Sequence, residues 1–211
     1  MKHKLLVVCL FISLGSLAQY SITTDTSKFV NERYKDSGQI KNHLDYVFEN
    51  FRGKNENQSL ATTIYLLNKA VSIKNIALEA SAFNIMGSIY NLNGKFDKAI
   101  ANYVKAIQLF EITNNMLSLA TMYNHIGMIY NNTQQFKLAM EYFNKGLVIS
   151  SKNHFEKTKA LININLTNLY IQNNALDKAL IHALIADSLT KKLKMPVEEA
   201  VNANLIGVIY F

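Results

Sequence analysis

Few side chains in this sequence have a type and spacing suited to covalent or metal chemistry. His43, His125, His154 and His182 share no ligand spacing, and no His-Glu-x-x-His pair occurs. Cys9 is the single cysteine and lies in an apolar N-terminal run. A chain that has lost that run has no disulfide, no thiolate metal ligand and no thiol nucleophile. Glu198 and Glu199 are adjacent carboxylates, the raw material of general acid–base catalysis. They follow Pro196, however, and proline in a first turn with acids near the positive end of the helix dipole is an ordinary helix start. Asn57, Asn131 and Asn165 each open an Asn-x-Ser/Thr triplet. Two of these fall in predicted helices of an Asn-rich chain, and the triplets are not read as glycosylation sites. The glycines are scattered, so no phosphate-cradling loop forms. The expectation is a protein with no catalytic residue, no cofactor and no metal, and therefore not an enzyme.

The composition points to packing instead. The chain has 211 residues, 49% hydrophobic and 18% charged, inside the globular range. One proline and eight glycines leave few turn signals and favour helices over many short strands. The formal charge is +7; setting Lys2 and Lys4 aside leaves 20 basic against 15 acidic residues, or +5. Only Arg33 and Arg52 are arginines, and the lysines form no stripe, so no nucleic-acid face is expected. Lys, Asn and Ile are all abundant, as an AT-rich coding sequence would produce.

The first residues, MKHKLLVVCLFISLGSLAQ, read as a secretory leader. Lys2 and Lys4 give the positive start, Leu5 to Leu14 the apolar run, and Ser16-Leu17-Ala18 a small-x-small cleavage site. The run is shorter than the ~20 residues a spanning helix needs. The expected division is a signal peptide over 1–18 and a mature, exported, periplasmic or extracytoplasmic chain from Gln19.

The strongest signal is a period of 40. Gly87, Gly127, Thr167 and Gly207 keep it, as do Tyr90, Tyr130, Tyr170 and Tyr210, and Ala99, Ala139 and Ala179. A fixed period in this range means stacked supersecondary units. Each unit reads as two helices. Phe83, Met86, Ile89 and Tyr90 mark one face of the first, and Phe96, Ala99, Ile100, Tyr103, Ala106 and Ile107 one face of the second. The small residues are expected where helices cross closely. The expected division continues as a flexible segment over 19–37, a degenerate capping helix pair over 38–76, and repeats over 77–211. The repeats divide as 77–116, 117–156, 157–196 and a truncated unit 197–211, which ends the chain on LIGVIYF, a first helix without its partner.

At these residues the chain resembles the tetratricopeptide repeat family, in a long-period variant of an exported bacterial type. Phe83, Met86, Gly87, Tyr90, Ala99, Tyr103 and Ala106 match its pattern in the first full unit; Tyr123, Ile126, Gly127, Tyr130, Ala139 and Phe143 match in the second. The third departs, with Asn163 for the aromatic, Thr167 for Gly and Ala183 for the second aromatic. The family's usual period is ~34 residues, and the extra six are expected as added helix and loop around EITNNMLSLA and SKNHFEKTKA. The resemblance implies an all-α fold, a right-handed superhelical solenoid of antiparallel helix pairs. It also implies that first-helix residues line a concave groove. Those positions are Ser81, Asn84, Ser88 and Asn91, then Thr121, Asn124, Met128 and Asn131, then Leu161, Ile164, Asn168 and Gln172, with Asn204 continuing the series. Asn84, Asn124 and Asn204 share one repeat position, and such an amide row could hydrogen-bond an extended peptide. None of these positions is basic, which argues against a clamp for a C-terminal carboxylate.

The expected function is an exported module that binds a protein or peptide segment. The alternative is the N-terminal sensory domain of a longer membrane-bound signalling protein, a histidine kinase or helix-turn-helix regulator. In that case a membrane is reached only through a C-terminal region beyond Phe211.

Overall fold

The computed structural model describes residues 37–51 and 55–211. The expected leader and the segment before Ser37 lie outside the described residues. Nine helices are present among the described residues: α1 Ser37–Asn50, α2 Glu56–Ser72, α3 Ile76–Leu92, α4 Phe96–Ile112, α5 Met116–Asn132, α6 Phe136–Lys152, α7 Glu156–Gln172, α8 Leu176–Lys192 and α9 Pro196–Tyr210. From α2 to α8 every helix has 17 residues, and from α2 to α9 a new one begins every 20. The 40-residue period is thus two equal halves. The residues beyond the usual period lengthen the helices, and the connections stay at three residues.

One backbone device makes every connection from α2 to α9. Lys74, Gly94, Asn114, Gln134, His154, Asn174 and Lys194 all have φ between 53° and 69°. At each, the next residue's N–H reaches back five residues, as Asn75 N to Ala70 O at 3.0 Å and Gln135 N to Tyr130 O at 2.8 Å. This is the Schellman closure, which satisfies the last carbonyls of one helix and ends it in the left-handed region. The residue that completes it is also the N-cap of the next helix. Asn75 and Asn115 use their side chains there, accepting from Leu78 N and Ser118 N at 3.1 Å each. The residue before the left-handed one often bonds back to the carbonyl four residues earlier. Asn93 does so to Ile89, Thr133 to Ile129, Asn153 to Ile149 and Asn173 to Leu169. Much of the asparagine content therefore terminates helices, whatever the codon bias.

Each helix packs antiparallel on the next in the chain, and the pairs stack. The alanines that keep the period, Ala99, Ala139 and Ala179, are fully buried. So are Ile126, Ile129, Ile162 and Leu166, each worth about 1.5–3 kcal/mol of burial. The periodic glycines differ from expectation in what they accommodate. A Cβ on Gly87 would stand 2.6 Å from the Tyr103 ring, and one on Gly127 2.6 Å from the Phe143 ring. The glycine seats an aromatic of the partner helix; it does not bring two backbones together. In the third unit the sizes exchange, with Thr167 facing the Ala183 position, both fully buried. The larger side chain thus moves from the second helix to the first, although threonine with alanine fills less space than glycine with an aromatic.

In α9, Pro196 sits in the first turn with Glu198 and Glu199 behind it, as expected of a helix start. Its anchor was not legible from the repeat marks. Asn202 is fully buried and donates from Nδ2 to Ala183 O at 2.9 Å. Tyr210, which keeps the repeat's tyrosine position, is 73% exposed.

Candidate functional site

The first helices touch one another along one side of the stack. α1 contacts α3, α5 contacts α7, and α7 contacts α9, whereas second helices make no comparable contact beyond their neighbours in the chain. First helices therefore form the inner wall. The row is uneven, because α3 and α5 make no comparable contact.

A register comparison shows why. Between α5 and α7, Asn165 Nδ2 donates to Asn124 Oδ1 at 2.9 Å. One repeat earlier the equivalent residues are His125 and Asn84. There His125 Nδ1 and Asn84 Oδ1 are both buried, and neither has a hydrogen-bond partner. One repeat later the equivalents are Leu205 and Ile164, an apolar pair. The interface code thus reads Asn–His, Asn–Asn, Ile–Leu, and only the first polar pair is unmade.

At that unmade interface lies a cleft of about 440 Å³. Ser88, Asn91 and Leu92 of α3 and His125 and Met128 of α5 form two walls, with Tyr103 of α4 between them. Phe48, Glu49 and Phe51, in and just after α1, form the third side. The Ser88 hydroxyl and the Tyr103 hydroxyl are 3.2 Å apart. The Tyr103 and His125 rings meet at 5.3 Å between centroids, tilted by 47°. Burial pushes the Tyr103 phenol up to about 12, against a smaller opposing effect of the Ser88 hydrogen bond. Burial also lowers the His125 imidazole to about 4, so that ring is neutral at pH 7. A second hollow of about 390 Å³ lies further along the same wall, between Leu117 and Thr121 of α5 and Phe155 and Leu161 beside and in α7.

The expected groove residues divide accordingly. Ser88, Asn91 and Met128 share the first cleft, and Thr121 and Leu161 the second. The hydroxyls of Ser81 and Thr121 donate within their own helices, to Ala77 O and Leu117 O. Asn124 is sealed between α5 and α7, Asn131 and Ile164 are buried, and Asn168 is half-buried. Gln172 and Asn204 are exposed and join neither cleft. The amide row of Asn84, Asn124 and Asn204 is therefore split between packing and solvent. Sequence reasoning missed His125, Tyr103 and the whole contribution of α1. The signal for His125 was present in the 125/165/205 column, which reads His, Asn, Leu beside Asn, Asn, Ile. Among the described residues no three His, Cys, Asp or Glu side chains gather as metal ligands, and no helix is long and apolar enough to cross a membrane.

Paired 17-residue helices with a glycine-seated aromatic define a tetratricopeptide-type helical solenoid. Residues 78–147, from α3 into α6, match the tetratricopeptide repeat family model. The uncharacterized protein ycf37 of Guillardia theta is 30% identical over 109 residues, which cover 47% of this chain. The chain spans about 60% of the length of that relative. Among solved structures, BtubC (BKLC) from P. vanneervenii superposes with a TM-score of 0.70 at 19% identity, over 82% of this chain and 71% of that one. The Rap conjugation gene regulator of plasmid pLS20, in complex with the Phr* peptide, gives 0.60 at 16% identity, over 90% of this chain and 58% of that one. These last two likenesses are of fold.

Proposed function

We propose that this chain is an exported interaction module, without catalysis, that holds a segment of a partner protein or a peptide against the wall of first helices. The observation that carries the reading is the cleft between α3 and α5. There two buried polar atoms on facing first helices, Asn84 Oδ1 and His125 Nδ1, stay unmatched beside a cavity of side-chain size. A concave wall with a few convergent polar groups is the usual form of a binding site in stacked helical repeats. The Rap regulator, which shares the fold, was solved with a peptide bound. Export rests on the leader-like pattern of residues 1–18.

A photo-crosslinking amino acid placed at Asn91, on the cleft wall, tests it against one at Asn102, part-exposed on second helix α4. Crosslinked partner from the periplasmic fraction at Asn91 and not at Asn102 is the expected result. Equal yields at both positions would remove the groove from the account.

A second reading is a sensory domain of a longer membrane-bound signalling protein. It is favoured by the combination of a leader-like start with an array of repeats. Fusing the chain's C-terminus to its natural downstream coding sequence, and asking whether a spanning helix and effector follow, decides between the two.

A further inference from the structure

We propose that the cleft between α1, α3 and α5 is a pocket for a basic side chain, and that it takes a lysine or arginine of the bound segment. This rests on the peptide-binding reading above and names the chemistry of its anchor. Among the described residues, the lining includes one acid, Glu49, and neither lysine nor arginine. Glu49 is exposed at the cleft edge and forms no ion pair among the described residues. Five other acids are engaged differently: Asp45, Glu56, Glu141, Glu156 and Asp187 all hold a lysine within 2.8 Å.

The rest of the pocket suits the stem of such a side chain. Phe48 and Leu92 are large apolar groups left about half exposed at the rim, at 46% and 54%. Phe51, Tyr103 and Met128 continue the apolar surface inward. Lysine and arginine bury a long methylene stem on such a surface while their charged head stays at the edge. The aromatic rings add a favourable face for the cation. The chain already uses that contact, with Lys98 over Tyr90 at 5.6 Å and Lys145 over Tyr142 at 4.8 Å. A carboxylate in the same place would meet Glu49, with no cation among the described lining residues to offset it. The pocket also draws on α1, outside the 78–147 stretch matched to the repeat family, so its specificity belongs to this chain's own cap.

The test is selection from a random dodecapeptide phage library on the immobilised full chain, its Glu49→Gln and Glu49→Lys variants, and a Ser88→Arg variant that blocks the cleft. Glu49 is exposed, so its replacement leaves the fold intact, which circular dichroism checks. The expected result is enrichment of peptides with a lysine or arginine beside apolar residues. Binding of those peptides should fall at least tenfold in Glu49→Gln and be lost in Ser88→Arg, and Glu49→Lys should select acidic peptides instead. Peptides lost in Ser88→Arg but showing no basic preference and no response at Glu49 would overturn the pocket and leave the groove standing. No peptide dependent on an open cleft would overturn both.

Discussion

The ring of Tyr103 lies where a side chain on Gly87 would be, 2.6 Å from the Cβ that residue lacks. Tyr103 is itself almost wholly buried and cannot swing away. Gly87→Ala should therefore cost about 1–3 kcal/mol through overpacking, and Gly127→Ala, against Phe143, should cost the same. Gly207 keeps the same repeat position but has nothing within 4 Å of its missing Cβ. Gly207→Ala should instead be neutral or stabilise by up to about 1 kcal/mol, since alanine is the better helix former. Urea denaturation of the three variants measures this. Equal effects at all three would mean that the register argument is wrong.

In the third unit a polar pair replaces an aromatic one. Tyr123 and Tyr142 sit 6.2 Å apart in the second unit, and their equivalents in the third are Asn163 and His182. Asn163 is 1% exposed and donates from Nδ2 to Lys159 O at 2.8 Å, so its Oδ1 is the acceptor for His182 Nδ1 at 2.8 Å. That fixes the neutral tautomer with hydrogen on Nδ1, and burial lowers the His182 pKa in agreement. His182→Ala should destabilise by about 1–3 kcal/mol by stranding the buried amide oxygen. Asn163→Leu combined with His182→Leu should recover most of that loss. A double variant no better than the single one would show that the pair is not a self-contained unit.

The fold was legible in the sequence because its marks are steric. Gly87, Ala99 and Tyr90 each recur where one size of side chain fits, so the 40-residue period and the helix pairs could be read directly. The half-period of 20 was harder to see. Its marker is a backbone conformation, φ near 55°, and six different side-chain positions adopt it against one glycine, Gly94. The site was legible only in part. Ser88, Asn91 and Met128 follow from the helix face, but the cleft exists because α3 and α5 stand apart, and that depends on the pairing of Asn84 with His125 across units. Phe48 and Glu49 enter through the packing of α1, which carries no repeat mark.

The turns make a separate prediction. Gln134 and His154 hold φ of 58° without being glycine. A left-handed residue with a Cβ carries a penalty of roughly 1–2 kcal/mol relative to glycine. The greater flexibility of glycine in the unfolded chain offsets part of that. Gln134→Gly and His154→Gly should each raise stability by about 0.5–1 kcal/mol, and the two should add, because they lie in separate turns. Thermal melts of the single and double variants are the check. A loss of stability in either would mean that its side chain contributes more than its backbone strain removes.

His125 ties stability to pH. Its imidazole is held at about 4 in the folded chain by burial, against about 6.5 in the unfolded chain. As pH falls from 6.5 toward 4, the unfolded chain takes up a proton that the folded chain resists. The stability associated with a neutral His125 is therefore complete above pH 6.5 and is lost as pH drops through that window, by an amount on the order of 3 kcal/mol. The groups facing it are the Tyr103 phenol, which stays protonated throughout, and the Glu49 side chain at the cleft edge. His125→Asn removes the titration and places at Asn84 the amide that Asn165 presents to Asn124. Urea midpoints of the full chain should decline between pH 6.5 and 4 more steeply than those of His125→Asn, and the two curves should converge in slope above pH 7. Parallel curves across the whole range would show that His125 is not the residue that titrates.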